Sequence, residues 1–284
     1  MKEQKRIALI NDVTGFGRCS TAVQLPIISV MGVQCCLFPT AILSAHTGYP
    51  TYYFDDYTRH MYEYMKNWAE LGVTFDGITT GFLGSKEQIE VVLSFLEQFK
   101  KTDTKVVVDP VMGDDGVLYA TYTEQMCEEM KQLVRHADVL TPNLTEVCRL
   151  LDITYPTSVP KEEELYRLAK ALCDQGTKKV VITGLQVHDN VLNYYYEKDK
   201  TAGFIGTKKV MESRPGTGDV FSAVITGALM KGISLKDSVS LASNFIQKGL
   251  FYTMECQTPH NDGICFEPVL WELIKEVQKQ EHSI

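Results

Sequence analysis

The chain predicts an α/β fold, a central and mostly parallel sheet with helices on both faces, and three observations carry that reading. Short apolar runs of strand length alternate with stretches of helical periodicity along the whole chain. Successive runs end in polar, glycine-containing clusters, Asn11-Asp12, Asp109, Asn143 with Glu146, and Thr183-Gly184, which point to one shared crevice at the strands' carboxyl ends. The 284 residues, 44% of them hydrophobic, suffice for a substantial core, so a single domain over 1–284 is expected.

In chain order, residues 7–10 form a buried strand, and Asn11 to Gly17 follow at its end. Residues 20–31 read as a helix capped by Ser20, kinked at Pro26 and closed by Gly32, before a second strand over 34–40. The loop 44–50 is dense in hydrogen-bonding groups. Residues 52–54 read as an edge strand or flap, and a helix over 56–71 ends at Gly72. A strand over 78–81 leads to Phe82-Leu83-Gly84, and Ser85 caps a helix to about residue 100. A strand over 106–108 ends in 109–116, a helix covers 123–136 and a strand 138–141, and Pro142-Asn143-Leu144-Thr145-Glu146 opens another helix. A strand over 179–183 closes the parallel series. Segments 190–197 and 203–210 alternate as an antiparallel edge, and helices over 219–231, 235–253 and 268–280 finish the chain.

Composition excludes several classes. Thirty-six acidic against 28 basic residues give a net charge of −8, which disfavours nucleic acid or an anionic membrane as partner. Eight cysteines carry no CxxC pair or zinc-type histidine spacing and read as free thiols of a reducing cytosol, and neither signal peptide nor membrane-spanning run is expected. A P-loop, a GxGxxG after the first strand and protein-kinase motifs are all missing.

The segment Ser213-Arg214-Pro215-Gly216-Thr217-Gly218-Asp219 turns fold into chemistry. Its glycines let the backbone approach a ligand, and the helix start offers N–H groups and a dipole end to a phosphoryl group in transfer. A carboxylate there repels that anion unless it takes a proton from an attacking hydroxyl, so Asp219 reads as a general base. The plainer alternative is a loop with Asp219 as helix cap. Asp109 and Glu146, just past strand ends, suit Mg²⁺ held largely through water, and Asn143 could reach a triphosphate or the metal's shell. Their plainer alternatives are a turn residue before Pro110 and, for Asn143 with Glu146, a capping box.

Gly216-Thr217-Gly218-Asp219, Asp109-Pro110-Val111-Met112-Gly113-Asp114 and Thr141-Pro142-Asn143-Leu144-Thr145-Glu146 together resemble the ribokinase-like superfamily, and Ser44-Ala45-His46-Thr47-Gly48-Tyr49 resembles its vitamin B6 branch, the pyridoxal/pyridoxamine kinases. The resemblance implies a three-layer ribokinase-like sandwich that phosphorylates the 5'-hydroxymethyl group of a B6 vitamer with ATP. By the same resemblance Asp219 is the base and the amides of Gly216, Thr217 and Gly218 form the anion hole. Asp109, Asn143 and Glu146 then serve Mg-ATP, with Asp109 and Glu146 on the metal, and a monovalent cation such as K⁺ is a second candidate ion. Thr183 and Gly184 fall on the nucleotide phosphates, while His46, Thr47 and Phe82 line the vitamin pocket. A cytoplasmic homodimer is also implied, with 52–54 as an apolar surface for it.

The chain departs from the branch where a Ser-His pair gives way to Asn11-Asp12, so Asp12 is expected to set a carboxylate against the substrate and to favour the cationic vitamer, pyridoxamine; the plainer alternative is that it points away and caps the glycine turn at Gly15 to Gly17. Hydroxymethylpyrimidine kinases are the runner-up, and a non-catalytic vitamer- or nucleotide-binding protein is the reading from another class.

Overall fold

A computed structural model describes residues 4–282. Its strands and helices follow in the order β1 (Arg6–Phe16), α1 (Ser20–Val30), β2 (Gln34–Ala45), β3 (Phe54–Asp56), α2 (Thr58–Glu70), β4 (Gly77–Thr80), α3 (Lys86–Phe99) and β5 (Lys105–Val108). Then come β6 (Gly113–Asp114), β7 (Val117–Leu118), α4 (Glu124–Val134), β8 (Val139–Leu140), α5 (Leu144–Leu150), α6 (Glu162–Asp174), β9 (Lys179–Val187), β10 (Asn190–Glu197), β11 (Thr201–Lys208), α7 (Thr217–Met230), α8 (Leu235–Cys256) and α9 (Leu270–His282).

Nine strands form one sheet in the order β11-β10-β9-β8-β5-β4-β1-β2-β3. From β9 to β2 every pair is parallel, and the antiparallel strands sit at the two edges. Period-two alternation splits the strands between two cores: Val106, Val108, Val180 and Ile182 pack with α2 to α6, while Ile7, Val107 and Val181 pack with α1, α7, α8 and α9. Both faces are therefore dry, which gives the three-layer α/β sandwich expected. Among the described residues no helix is long and apolar enough to cross a membrane, and all eight cysteines are free.

The differences from expectation cluster around the crevice. β1 continues past residue 10 to Phe16 and β2 past residue 40 to Ala45, with a register shift between Asn11 and Val13. Because β4 stops pairing with β1 at Ile10, the extra length runs on beyond the end of β4, paired on one side only with β2, and walls the crevice. Ser20 is the first residue of α1 at φ +53 rather than its cap, which is Cys19. The small hairpin β6–β7 was not expected. Nor was α6, although its buried residues Leu165, Leu168, Ala169, Leu172 and Cys173 recur at helical spacing behind three glutamates, a complete amphipathic signal. β9 does not end at Gly184 but runs on to Val187 and turns into β10.

Candidate active site

The chain's path across the sheet reverses between β1 and β4, and that switch point is where α7 aims its first turn. Gly216 is the N-cap of α7 at φ 80°, ψ −3°, and a Cβ on it would fall 1.9 Å from the Arg18 carbonyl oxygen, so only glycine closes this turn. Asp219 is the third helical residue and not the cap. Its Oδ2 accepts the Ser20 N–H at 2.8 Å and its Oδ1 lies 3.5 Å from Asn11 Nδ2. The carboxylate thus touches the first turns of two helices, α7 and α1, whose dipoles favour its charge. Burial outweighs that help and pushes its pKa up to about 7; the Ser20 N–H pulls down, the Asp12 charge pushes up and the Asn11 amide pulls down. Such a group is half-ready at neutral pH to take a proton.

Of the three amides, Thr217 N–H is already given to the Arg214 carbonyl at 3.2 Å, and the Thr217 hydroxyl bonds the same oxygen at 2.7 Å. Thr217 therefore shapes the turn, a correction to its place among three equivalent donors. Gly216 and Gly218 have amides without an acceptor among the described residues, and nothing lies within 4 Å of a Cβ built on Gly218.

Asp109, at the end of β5, has a buried carboxylate that receives no hydrogen bond among the described residues. Burial, then the charges of Glu146 and Asp219, raise its pKa well above the usual range. Glu146 is differently placed: Oε1 accepts Met112 N–H at 3.1 Å and Oε2 accepts Asn143 N–H at 2.8 Å, while burial holds its pKa near 7. Asn143 Oδ1 accepts Glu146 N–H at 3.0 Å and its Nδ2 donates to Gly113 O at 2.8 Å. The capping box is thus real, and with one Nδ2–H given to Gly113 O the Asn143 amide is held in place, leaving its second N–H without an acceptor among the described residues. No group of three His, Cys, Asp or Glu among the described residues could hold a metal by itself. Asp109's free, uncompensated hard oxygens still fit Mg²⁺ held mainly by water and phosphate. On the flank Thr183 donates its N–H to Pro142 O at 2.9 Å, and Gly184, at φ +71, donates to Asn193 Oδ1 at 3.0 Å.

The opposite wall carries the remaining residues. Gly48 N–H donates to His46 Nδ1 at 3.1 Å, so the ring proton sits on Nε2 and goes to Asn261 O at 2.7 Å. With Tyr49 Oη donating to Asp262 Oδ1 at 2.8 Å, the 46–49 turn is tied to the 261–262 segment, and His46 acts as a latch. Thr47 is exposed on that turn. Phe82 is half-buried and donates its N–H to Asn11 Oδ1 at 2.8 Å. Asp12 is only 3% exposed and accepts the Thr14 hydroxyl at 2.7 Å. Burial raises its pKa against the hydroxyls of Ser20 and Thr14. It is not a free carboxylate set against a substrate, as expected above, nor a cap of the glycine turn; its charge bears on Asp219.

Sequence reasoning missed Asn11 as a partner of Asp219, although it stood inside the segment singled out. It also missed Asn261 and Asp262, and Tyr119, whose phenol is pushed up by burial and then by Glu146, Asp114, Asp109 and Asp219, which puts it beside the acids. No local pattern marks that tyrosine.

Residues 25–263 match the family model for phosphomethylpyrimidine kinase. A pyridoxine/pyridoxal/pyridoxamine kinase of Bordetella avium is 28% identical over 271 residues, 90% of each chain. A Bacteroides thetaiotaomicron protein described as a candidate phosphomethylpyrimidine kinase, crystallised with pyridoxal, is 40% identical with a TM-score of 0.92, covering 95% of this chain and 96% of its own. The pyridoxal kinase of Lactobacillus plantarum is 26% identical with a TM-score of 0.90 over 98% and 99%.

Proposed function

The chain belongs to the phosphomethylpyrimidine kinase family, and within it we propose that this protein phosphorylates the 5'-hydroxymethyl group of a B6 vitamer with ATP. The observation that carries the reading is the Asp219 carboxylate, with a pKa of about 7, set across two helix starts at the sheet's switch point. Asp219 takes the hydroxyl proton, the freed oxygen attacks the γ-phosphorus, and the bond to ADP breaks. The amides of Gly216 and Gly218 face the charge that develops on the phosphoryl oxygens. Asp109 would be the principal protein partner of Mg²⁺, which would supply neutralisation of the polyphosphate charge, with Glu146 and Asn143 bracing the segment behind it, and K⁺ is a second candidate ion. Thr183 and Gly184 line the nucleotide end, and His46, Thr47 and Phe82 the vitamin end. Tyr52 (43% exposed) and Tyr53 (66%), just ahead of β3, with Phe54 (36%) at its start, form the surface for a homodimer, the whole acting in the cytoplasm.

Phosphorylation of hydroxymethylpyrimidine is the second reading, favoured by the family description and by that of the Bacteroides relative. A pure binder is disfavoured, because a buried carboxylate beside a phosphate site weakens binding unless it takes a proton. ADP release with pyridoxal, pyridoxine, pyridoxamine and hydroxymethylpyrimidine, each with Mg-ATP, tests all three. The expected result is the highest kcat/KM for a vitamer. A higher value for the pyrimidine moves the assignment, and no ADP with any of them removes it.

A further inference from the structure

Beneath Asp219 lies a closed ring of buried amides and hydroxyls that the reaction itself does not consume. Asn11 is fully buried, and its Oδ1 accepts two main-chain N–H groups, from Asp12 at 2.9 Å and Phe82 at 2.8 Å. That fixes the direction of the amide, because both N–H donors must then point the opposite way. They point at Gln24 Oε1, 3.1 Å away, and at Asp219 Oδ1, 3.5 Å away. Gln24, fully buried on α1, passes its own N–H to Ser222 Oγ at 3.1 Å. Ser222 stands three residues after Asp219 on the same face of α7, so the ring closes on the helix that carries the carboxylate.

Space is also reserved for this arrangement. A Cβ on Gly81 would sit 2.4 Å from Asn11 Nδ2, and Gly81 is not among the glycines with a left-handed backbone, so the side chain of Asn11 is what that position must clear.

We propose that Asn11, anchored by Gln24 and Ser222, is a positioning residue that holds an N–H against Asp219 Oδ1 and so keeps the carboxylate turned toward the acceptor hydroxyl. The inference rests on Asp219 being the base. The 3.5 Å separation is long for a hydrogen bond, and catalytic bonds of this kind tighten once substrate is bound. The titratable groups facing Asp219 are Asp12 from β1, whose charge raises its pKa, and Cys19 at the start of α1, Asp109 at the end of β5 and Tyr119 beyond the hairpin, whose own pKa values the Asp219 charge raises. Each is acidic or neutral, so the Ser20 N–H and the Asn11 amide are the groups that favour its charged form.

The test is Asn11→Asp, which keeps an oxygen for the Asp12 and Phe82 amides and puts a second oxygen where the NH₂ group met Gln24 and Asp219. The expected result is a kcat lower by about 10- to 100-fold with both KM values held, as for a misplaced reacting group. The acid limb of the kcat profile should also move to higher pH, since a group that lowers the pKa of Asp219 is gone. In an Asp219→Asn background the same change should cost nothing further. A higher KM for the vitamin with kcat held makes Asn11 a substrate contact and overturns the proposal, as does an equal loss in both backgrounds. Should Asn11→Asp not fold, Gly81→Ala displaces the same amide by steric pressure while leaving its chemistry unchanged, and carries the same expectations. An Asp219→Asn enzyme that keeps its turnover sinks the reading of the base instead, which separates the two failures.

Discussion

The two ends of the crevice hold buried carboxylates in opposite ways. At the α7 end, Asp219 is met by the Ser20 N–H and the Asn11 amide, so the protein itself supplies the donors that position it. At the β5 end, Asp109 has no donor among the described residues, and the charges that bear on it, Glu146 and Asp219, are both negative. One site is finished by the fold, while the other is left short of positive charge. A proton acceptor needs a fixed direction and a pKa near neutrality, whereas a cation partner needs free oxygens and uncompensated charge. The contrast therefore divides labour between base and metal more clearly than residue types do.

The largest effect should come from the finished end. Asp219→Asn keeps an oxygen for Ser20 N–H but cannot take a proton, and turnover should fall by roughly 10² to 10⁴ while the melting temperature holds. Turnover near that of the unaltered enzyme would put the base elsewhere.

At the other end Glu146→Gln should act mainly through the fold. One of the Met112 and Asn143 amides would face an NH₂ group instead of an oxygen, a loss of about 1–3 kcal/mol. Denaturant unfolding measures it. An unchanged stability with a raised Mg²⁺ requirement would instead make Glu146 a direct metal partner and blur the contrast.

The smallest effect is at Asp12, whose charge raises the pKa of Asp219. In Asp12→Asn that pKa should drop, so the acid limb of kcat moves to lower pH, and the ratio of pyridoxamine to pyridoxal turnover stays nearly constant because the side chain is spent on Thr14. A ratio that shifts strongly would restore Asp12 to the substrate pocket.

Much of this was legible in the sequence, for physical reasons that differ by region. The parallel sheet announces itself because strands buried on both faces must be apolar throughout, as in Val106 to Val108 and Val180 to Ile182. Gly216 and Asp219 are legible because a left-handed turn with no room for a Cβ admits only glycine and delivers the next residues to a helix start. The roles of Asn11 and Tyr119 were not legible, since each depends on a partner far along the chain: Asn11 meets Asp219 across 208 residues. The direction of Asp12 was hidden for a local reason, a bond to Thr14 two residues on that a strand extended past residue 10 makes possible. The missed α6 was a different failure, for its periodicity was present and complete.

The division between the two ends is tested most directly by the rise in melting temperature that Mg-ADP gives above neutral pH, compared between Asp109→Asn and Asp219→Asn. The account predicts that Asp219→Asn keeps the rise, since its carboxylate serves a proton, and that Asp109→Asn loses most of it, since its oxygens serve the cation. A rise kept by Asp109→Asn and lost by Asp219→Asn would contradict the assignment of the two ends.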